Sequence, residues 1–257
     1  MDPAVNYSYF ADLYDDFVIW DEDKRFFIQE CASLDGPLLE LMCGTGRLTV
    51  PLTRSGVNVT AVDINSDMLA ILRTKVKTES LPVDIVQQDV TRLSLDQQYP
   101  LIILPFQSFG EILEPYQQLN TLRSIREHMT ATGRFICTLH NPPVRTRGID
   151  GRLQLWHDVT LPNNRGQLLL WGLLNQREGS ALVSGYEFLE HYILGKLVDK
   201  RCIPLRFYLP SLKEFRQMAY KAGMKVGEVY GDYKRGEYDP EQSPYIICVL
   251  NQASKLG

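Results

Sequence analysis

Short apolar runs alternate, over the first 140 residues, with stretches whose apolar positions recur every three or four residues. Gly36-Pro37-Leu38-Leu39-Glu40-Leu41 reads as a first strand, Arg47 to Ser55 as a short helix closed by Gly56, and Val57 to Ile64 as a second strand. Met68, Leu69, Leu72 and Val76 form one stripe of a helix that Ser66 would cap. Val83 to Val86 predicts a third strand. Leu101 to Leu104 predicts a fourth, wholly apolar as a strand covered on both faces should be. Residues 115–130, with Leu119, Leu122, Ile125 and Met129 on one face, predict a helix, and Gly133 to Leu139 a fifth strand. Strands alternating with helices in this way predict an α/β, doubly wound parallel sheet.

The pattern changes near residue 150. Alternating segments separated by Asn163-Asn164-Arg165-Gly166 and Arg177-Glu178-Gly179-Ser180 predict an antiparallel meander of three to five strands. A helix from Ser211 to Ala222 and two strands, around 225–230 and 245–250, follow it. Residues 1–36 read as helical and aromatic, with acidic residues at 12, 15, 16, 21, 22 and 23 that suit a solvated face or a cationic substrate. The chain thus divides into an α/β core, residues 1–150 and 210–257, and an antiparallel β insertion, residues 151–209.

Composition narrows the function classes. With 44% hydrophobic residues in 257, the chain can bury a sizeable core. The formal net charge of −4 argues against a dedicated nucleic-acid binder. Five scattered cysteines, without a CxxC pair or a zinc-spaced His/Cys cluster, read as reduced core thiols and predict no metal. The N-terminal residues do not read as a signal peptide, and no apolar run approaches the roughly 18 residues of a membrane span. A cytoplasmic protein with no membrane partner is the expectation.

Leu38-Leu39-Glu40-Leu41-Met42-Cys43-Gly44-Thr45-Gly46-Arg47-Leu48 holds the informative chemistry. Glycines just after a first strand allow backbone to approach a ligand, and the helix beyond offers free N–H groups. Asp63 ends the second strand, 17 residues after Gly46, where a carboxylate suits a ribose diol. Asp89 stands at the end of the third.

This arrangement resembles the class I S-adenosylmethionine-dependent methyltransferases, whose first motif is commonly hydrophobic-hydrophobic-(Asp/Glu)-hydrophobic-Gly-x-Gly-x-Gly; here Met42 replaces the first glycine. The resemblance implies a seven-stranded Rossmann-like sheet and S-adenosylmethionine as cofactor. Glu40 and the loop Met42, Cys43, Gly44, Thr45 and Gly46 would border its methionyl end. Asp63 would accept from the ribose hydroxyls, Ile64 and Met68 would flank the adenine, and Asp89 with the Val90 backbone would face its amino edge. Tyr7 to Asp15 is similar to an N-terminal segment that forms a lid in many small-molecule methyltransferases, with Tyr14 toward the cofactor. The C-terminal half resembles a subgroup with a β insertion over the substrate site, which includes amino-sugar N-methyltransferases and glycine/sarcosine-type enzymes. The implied partner is a small-molecule methyl acceptor, with nitrogen or oxygen favoured over carbon and a homodimer left open.

Pro105-Phe106-Gln107 follows the fourth strand and would floor the cofactor–substrate junction. His140 ends the fifth strand, outside which ligands bind in such sheets, so it is the candidate general base; a histidine bonded to loop backbone is the alternative. His157 and His191 suit cross-strand or surface roles, and His128 a helix C-terminus. Asn141-Pro142-Pro143-Val144 resembles the tetrapeptide of DNA-amino methyltransferases but lacks its final aromatic, and reads as a loop turn. Two rivals stand beside this reading: a nicotinamide-dependent oxidoreductase, disfavoured by the missing third glycine, and a non-catalytic module that keeps the fold.

Overall fold

A computed structural model describes residues 4–253. Seven strands form one sheet: β1 (Leu38–Leu41), β2 (Val59–Asp63), β3 (Val83–Gln87), β4 (Tyr99–Leu104), β5 (Met129–His140), β10 (Met224–Tyr230) and β11 (Tyr245–Gln252). Their order is β10-β11-β5-β4-β1-β2-β3; β1 to β5 run parallel, and β11 is antiparallel to both neighbours. β1 is buried along its whole length because helices cover both faces. On one face α2 (Glu22–Cys31), α3 (Thr49–Arg54) and α4 (Ser66–Glu79) bury Phe26, Phe27, Leu52 and Leu72. On the other, α5 (Pro115–Glu127) and α7 (Leu212–Lys221) bury Leu122, Ile125 and Phe215. Ser211 and Glu214 close a reciprocal capping box on α7.

Two local readings are corrected. Asn65, not Ser66, caps α4, its side-chain oxygen accepting from the N–H groups of Asp67 and Met68. Met129 belongs to β5 rather than to the preceding helix. The reason is tertiary: the His128 carbonyl accepts from Tyr99 N–H at 2.7 Å and its Nε2 from Leu95 N–H at 3.0 Å. The chain therefore turns directly from helix into sheet, and Met129 is fully buried there.

After the short α6 (Pro142–Arg145), the insertion is a four-stranded antiparallel meander in sequence order: β6 (Leu153–Leu161), β7 (Gly166–Gln176), β8 (Leu182–Ile193) and β9 (Lys196–Tyr208). Its inner face presents Leu168, Leu170, Leu189 and Ile203 to Phe10, Leu13 and Phe17, the last two on α1 (Ala11–Phe17). Val5 bridges to Leu205. Ion pairs flank this contact, Asp16 with Arg165 and Asp12 with Arg201. The acidic N-terminal cluster is thus largely committed: Asp15 pairs with Lys75, and Asp23, at 0% exposure, with Arg47. Those pairs fasten the N-terminal segment between core and insertion.

Candidate functional site

A cavity of about 460 Å³ opens outside the carboxyl ends of β1 to β4, under the N-terminal segment. The loop after β1 shapes it. Met42, Gly44 and Gly46 have φ of 55°, 57° and 83°, so Met42 takes the left-handed conformation that glycine adopts without penalty. Gly46 has no alternative, because a Cβ there would come within 2.3 Å of Leu72 Cδ1. The loop is held from below by Asp63, whose Oδ2 accepts from Gly44 N–H and Oδ1 from Asn65 N–H, both at 2.8 Å. Burial raises the Asp63 pKa, opposed by these backbone N–H groups and that of Ile64. Glu40, buried under the loop, takes a 2.6 Å bond from Thr49 Oγ1; burial pushes its pKa up to about 7 against that bond.

The remaining wall is apolar beside a few polar groups. Met68 and Val90 are buried, whereas Ile64 leaves 62% of its surface bare at the cavity. Asp89 Oδ1 accepts from Thr91 N–H and fixes the turn Val90–Arg92. A carboxylate for a diol, an uncovered apolar slot and a glycine loop fit a nucleoside joined to an amino acid, in a volume typical of cofactor sites. Pro105 and Phe106 complete the floor.

The N-terminal segment forms the roof through bonds no local pattern announces. Thr45 Oγ1 donates to Asp15 at 2.7 Å, and Lys75 Nζ reaches both Asp15 and the Thr45 carbonyl. Asn65 Nδ2 donates to Ser8 Oγ. Tyr14 lines the cavity with its ring against Tyr7 and Phe10. Tyr7 donates its hydroxyl proton to Glu111 Oε1 at 2.6 Å. Glu111 also lines the cavity; burial pushes its pKa up to about 7, opposed by the Tyr7 bond and reinforced by the charge of Asp63. From the insertion, Glu187 adds a second carboxylate near Tyr7, which burial raises to about 7. Sequence reasoning missed Glu111, since an isolated glutamate a few residues beyond a strand carries no spacing signal.

Tyr14, Glu40, Met42, Cys43, Gly44, Thr45, Asp63, Ile64, Met68, Asp89, Val90, Pro105 and Phe106 all border the cavity. Gly46 lies behind the loop, against Leu72 and Thr49. Gln107 turns away: its N–H donates to Thr138 Oγ1 and its Nε2 to Tyr233 OH. His140 stands outside the lining, paired across β5 and β11 with Tyr245 and with its ring 5.8 Å from Phe207. Burial, and then the charge of Arg145, pull its pKa down to about 3. A group so weakly basic is a poor proton acceptor at neutral pH, so neither its place outside the lining nor its surroundings support His140 as the base. Phe109 is core. His128 is wedged against Leu95 and Ser124, His191 bonds the Arg165 carbonyl, and Asn141 is fully buried pinning the carbonyls of Pro240 and Ser243.

Comparison with known proteins agrees with this geometry. Residues 38–133 match the family model described as a methyltransferase domain. The cypemycin N-terminal methyltransferase of a Streptomyces species is 25% identical over 221 residues, 85% of each chain. The putative methyltransferase YqeM of Bacillus subtilis (strain 168) is 25% identical over 139 residues, 52% of this chain and 56% of that one. The chain spans about half the length of YqeM and of a putative methyltransferase of Geobacillus sp. (strain WCH70). The CcbJ methyltransferase structure from Streptomyces caelestis superposes with a TM-score of 0.80 over 95% of this chain and 96% of that one, at 25% identity.

Proposed function

We propose that this chain, a class I S-adenosylmethionine-dependent methyltransferase by its domain and fold, methylates an amine on a small-molecule acceptor. The observation that carries the amine is Glu111, a cavity-lining carboxylate whose pKa of about 7 lies where a proton acceptor works best. Amines are protonated at neutral pH and must shed a proton before their lone pair is free. Hydroxyl acceptors hold theirs more tightly and would need a stronger base. The cypemycin relative is named for an N-terminal acceptor, which supports the same choice.

When bound, S-adenosylmethionine supplies a methyl group already activated by its sulfonium charge. Asp63 holds the ribose diol, Ile64 and Met68 flank the adenine, and Asp89 with the Val90 backbone faces its amino edge. Glu40 and the loop from Met42 to Thr45 would border the methionyl end. Tyr14, Pro105 and Phe106 confine the reacting end, and the roof keeps water from it. Glu111 would take the ammonium proton, leaving the nitrogen lone pair free for the methyl group that the cofactor would supply. Alignment supplies much of the acceleration, so the base is an addition to positioning rather than its substitute.

Two measurements test this. Calorimetric titration with S-adenosylhomocysteine gives micromolar binding, while NADH in parallel gives none; the reverse result rejects the reading. Glu111→Gln then lowers turnover of an amine acceptor at pH 7 by about a hundredfold, with S-adenosylhomocysteine affinity kept. In the parent enzyme kcat/KM rises with pH through about 7 as Glu111 loses its proton. A Glu111→Gln enzyme that keeps this limb shows that Glu111 is not the base.

A further inference from the structure

We propose that Arg145, backed by His140, forms an oxyanion subsite that receives a carboxylate or phosphoryl group of the acceptor. Arg145 closes α6, directly beyond the carboxyl end of β5, on the side of the sheet where ligands bind. Its guanidinium carbon stands 5.1 Å from the centre of the Phe207 ring, and the His140 ring packs near that same ring. Burial lowers the Arg145 pKa, and no carboxylate acts to restore it. The contrast is Arg47, which lines the cavity and is clamped by both oxygens of Asp23. Among the described residues Arg145 has no side-chain hydrogen bond or ion pair, and none of its nitrogens is both fully buried and unbonded. A desolvated cation without a counter-charge is costly in a free protein and useful in a binding one. His140, neutral at physiological pH, adds one N–H donor without a competing need for charge.

Arg145, His140 and Phe207 lie outside the cavity lining, but Phe207 packs near the turn that carries Glu111. A Cβ on Gly110 would come within 2.7 Å of the Tyr208 carbonyl and 3.9 Å of Phe207 Cβ, so the missing side chain is what lets β9 close on this turn. The next residue, Glu111, faces the cavity. Phe207 thus packs near both the Glu111 turn and the pair Arg145 and His140. An acceptor with an amine at Glu111 and an oxyanion at Arg145 would span both; this rests on the proposed function for the amine end alone.

The test uses the full chain without cofactor. Inorganic phosphate, pyrophosphate and acetate are titrated by calorimetry at low salt into wild type, Arg145→Gln and Arg145→Lys. Millimolar binding to wild type is expected, weakened at least about tenfold in Arg145→Gln, with Arg145→Lys between them because a lysine lacks the forked donor set. Preference for the phosphorus anions assigns a phosphoryl group; equal or better binding of acetate assigns a carboxylate. The thermal midpoint of Arg145→Gln is expected at or above wild type, since an unpaired cation has been removed. A lower midpoint, no binding, or binding indifferent to residue 145 overturns the proposal. S-adenosylhomocysteine affinity, measured on the same variants, separates this failure from a failure of the methyltransferase reading.

Discussion

Replacing Asp63 by alanine weakens S-adenosylhomocysteine binding by about a hundredfold, near 2.7 kcal/mol. The side chain does two things at once. From the protein side it takes the N–H groups of Gly44 and Asn65, holding the loop after β1 against the cap of α4. Its remaining lone pairs face the cavity, where the ribose diol of the ligand would donate to them. Charge-assisted hydrogen bonds are worth about 1.5–3 kcal/mol each, and an alanine forfeits the diol contacts and the loop anchor together. Calorimetry on the folded variant is the check. Affinity within a factor of two of wild type would remove Asp63 from the ribose site and leave it a loop anchor only.

Asp23→Ala lowers the thermal midpoint by about 10 °C, the effect of losing about 3–5 kcal/mol in a domain this size. Asp23 is fully buried in the first turn of α2, and both its oxygens meet Arg47, at 2.6 and 2.5 Å. Arg47 is itself only 12% exposed at the side chain, also donates to the Trp20 carbonyl, and stacks 4.5 Å over Phe106. Removing the carboxylate strands a guanidinium where water reaches it poorly; the loss of one partner is far worse than the absence of both. The double variant Asp23→Ala/Arg47→Met should therefore recover part of the midpoint. Arg47 directly follows the glycine loop and lines the cavity, so the single variant also loosens S-adenosylhomocysteine binding. A midpoint within 2 °C of wild type, by scanning calorimetry, would show the pair to be energetically idle.

These expectations divide by how far their causes reach along the chain. The parallel core was legible because a strand's alternation, a helix's 3.6-residue period and a glycine that must take positive φ are local properties. Hence β1, the glycine loop, α4 and the positions of Asp63 and Asp89 could be read from residues a few places apart. The error at Met129 marks the edge of that method: its apolar side chain fits either period, and only the bond from Tyr99 to the His128 carbonyl decided for the strand. Ser66 and Asn65 are both good caps, and backbone geometry chose between them.

By itself the sequence determined the fold class, the glycine loop after the first strand and the carboxylates at the strand ends. Tertiary structure alone decided which groups are chemically active. Tyr7 meets Glu111 across 104 residues and Arg165 meets Asp16 across 149. The pKa of Glu111 near 7, and that of His140 near 3, come from the packing of segments that share no local pattern. Burial and pairing depend on everything around a side chain, whereas periodicity depends only on its neighbours in the chain. That is why a histidine conspicuous in the sequence sits outside the cavity lining, while an inconspicuous glutamate lines it.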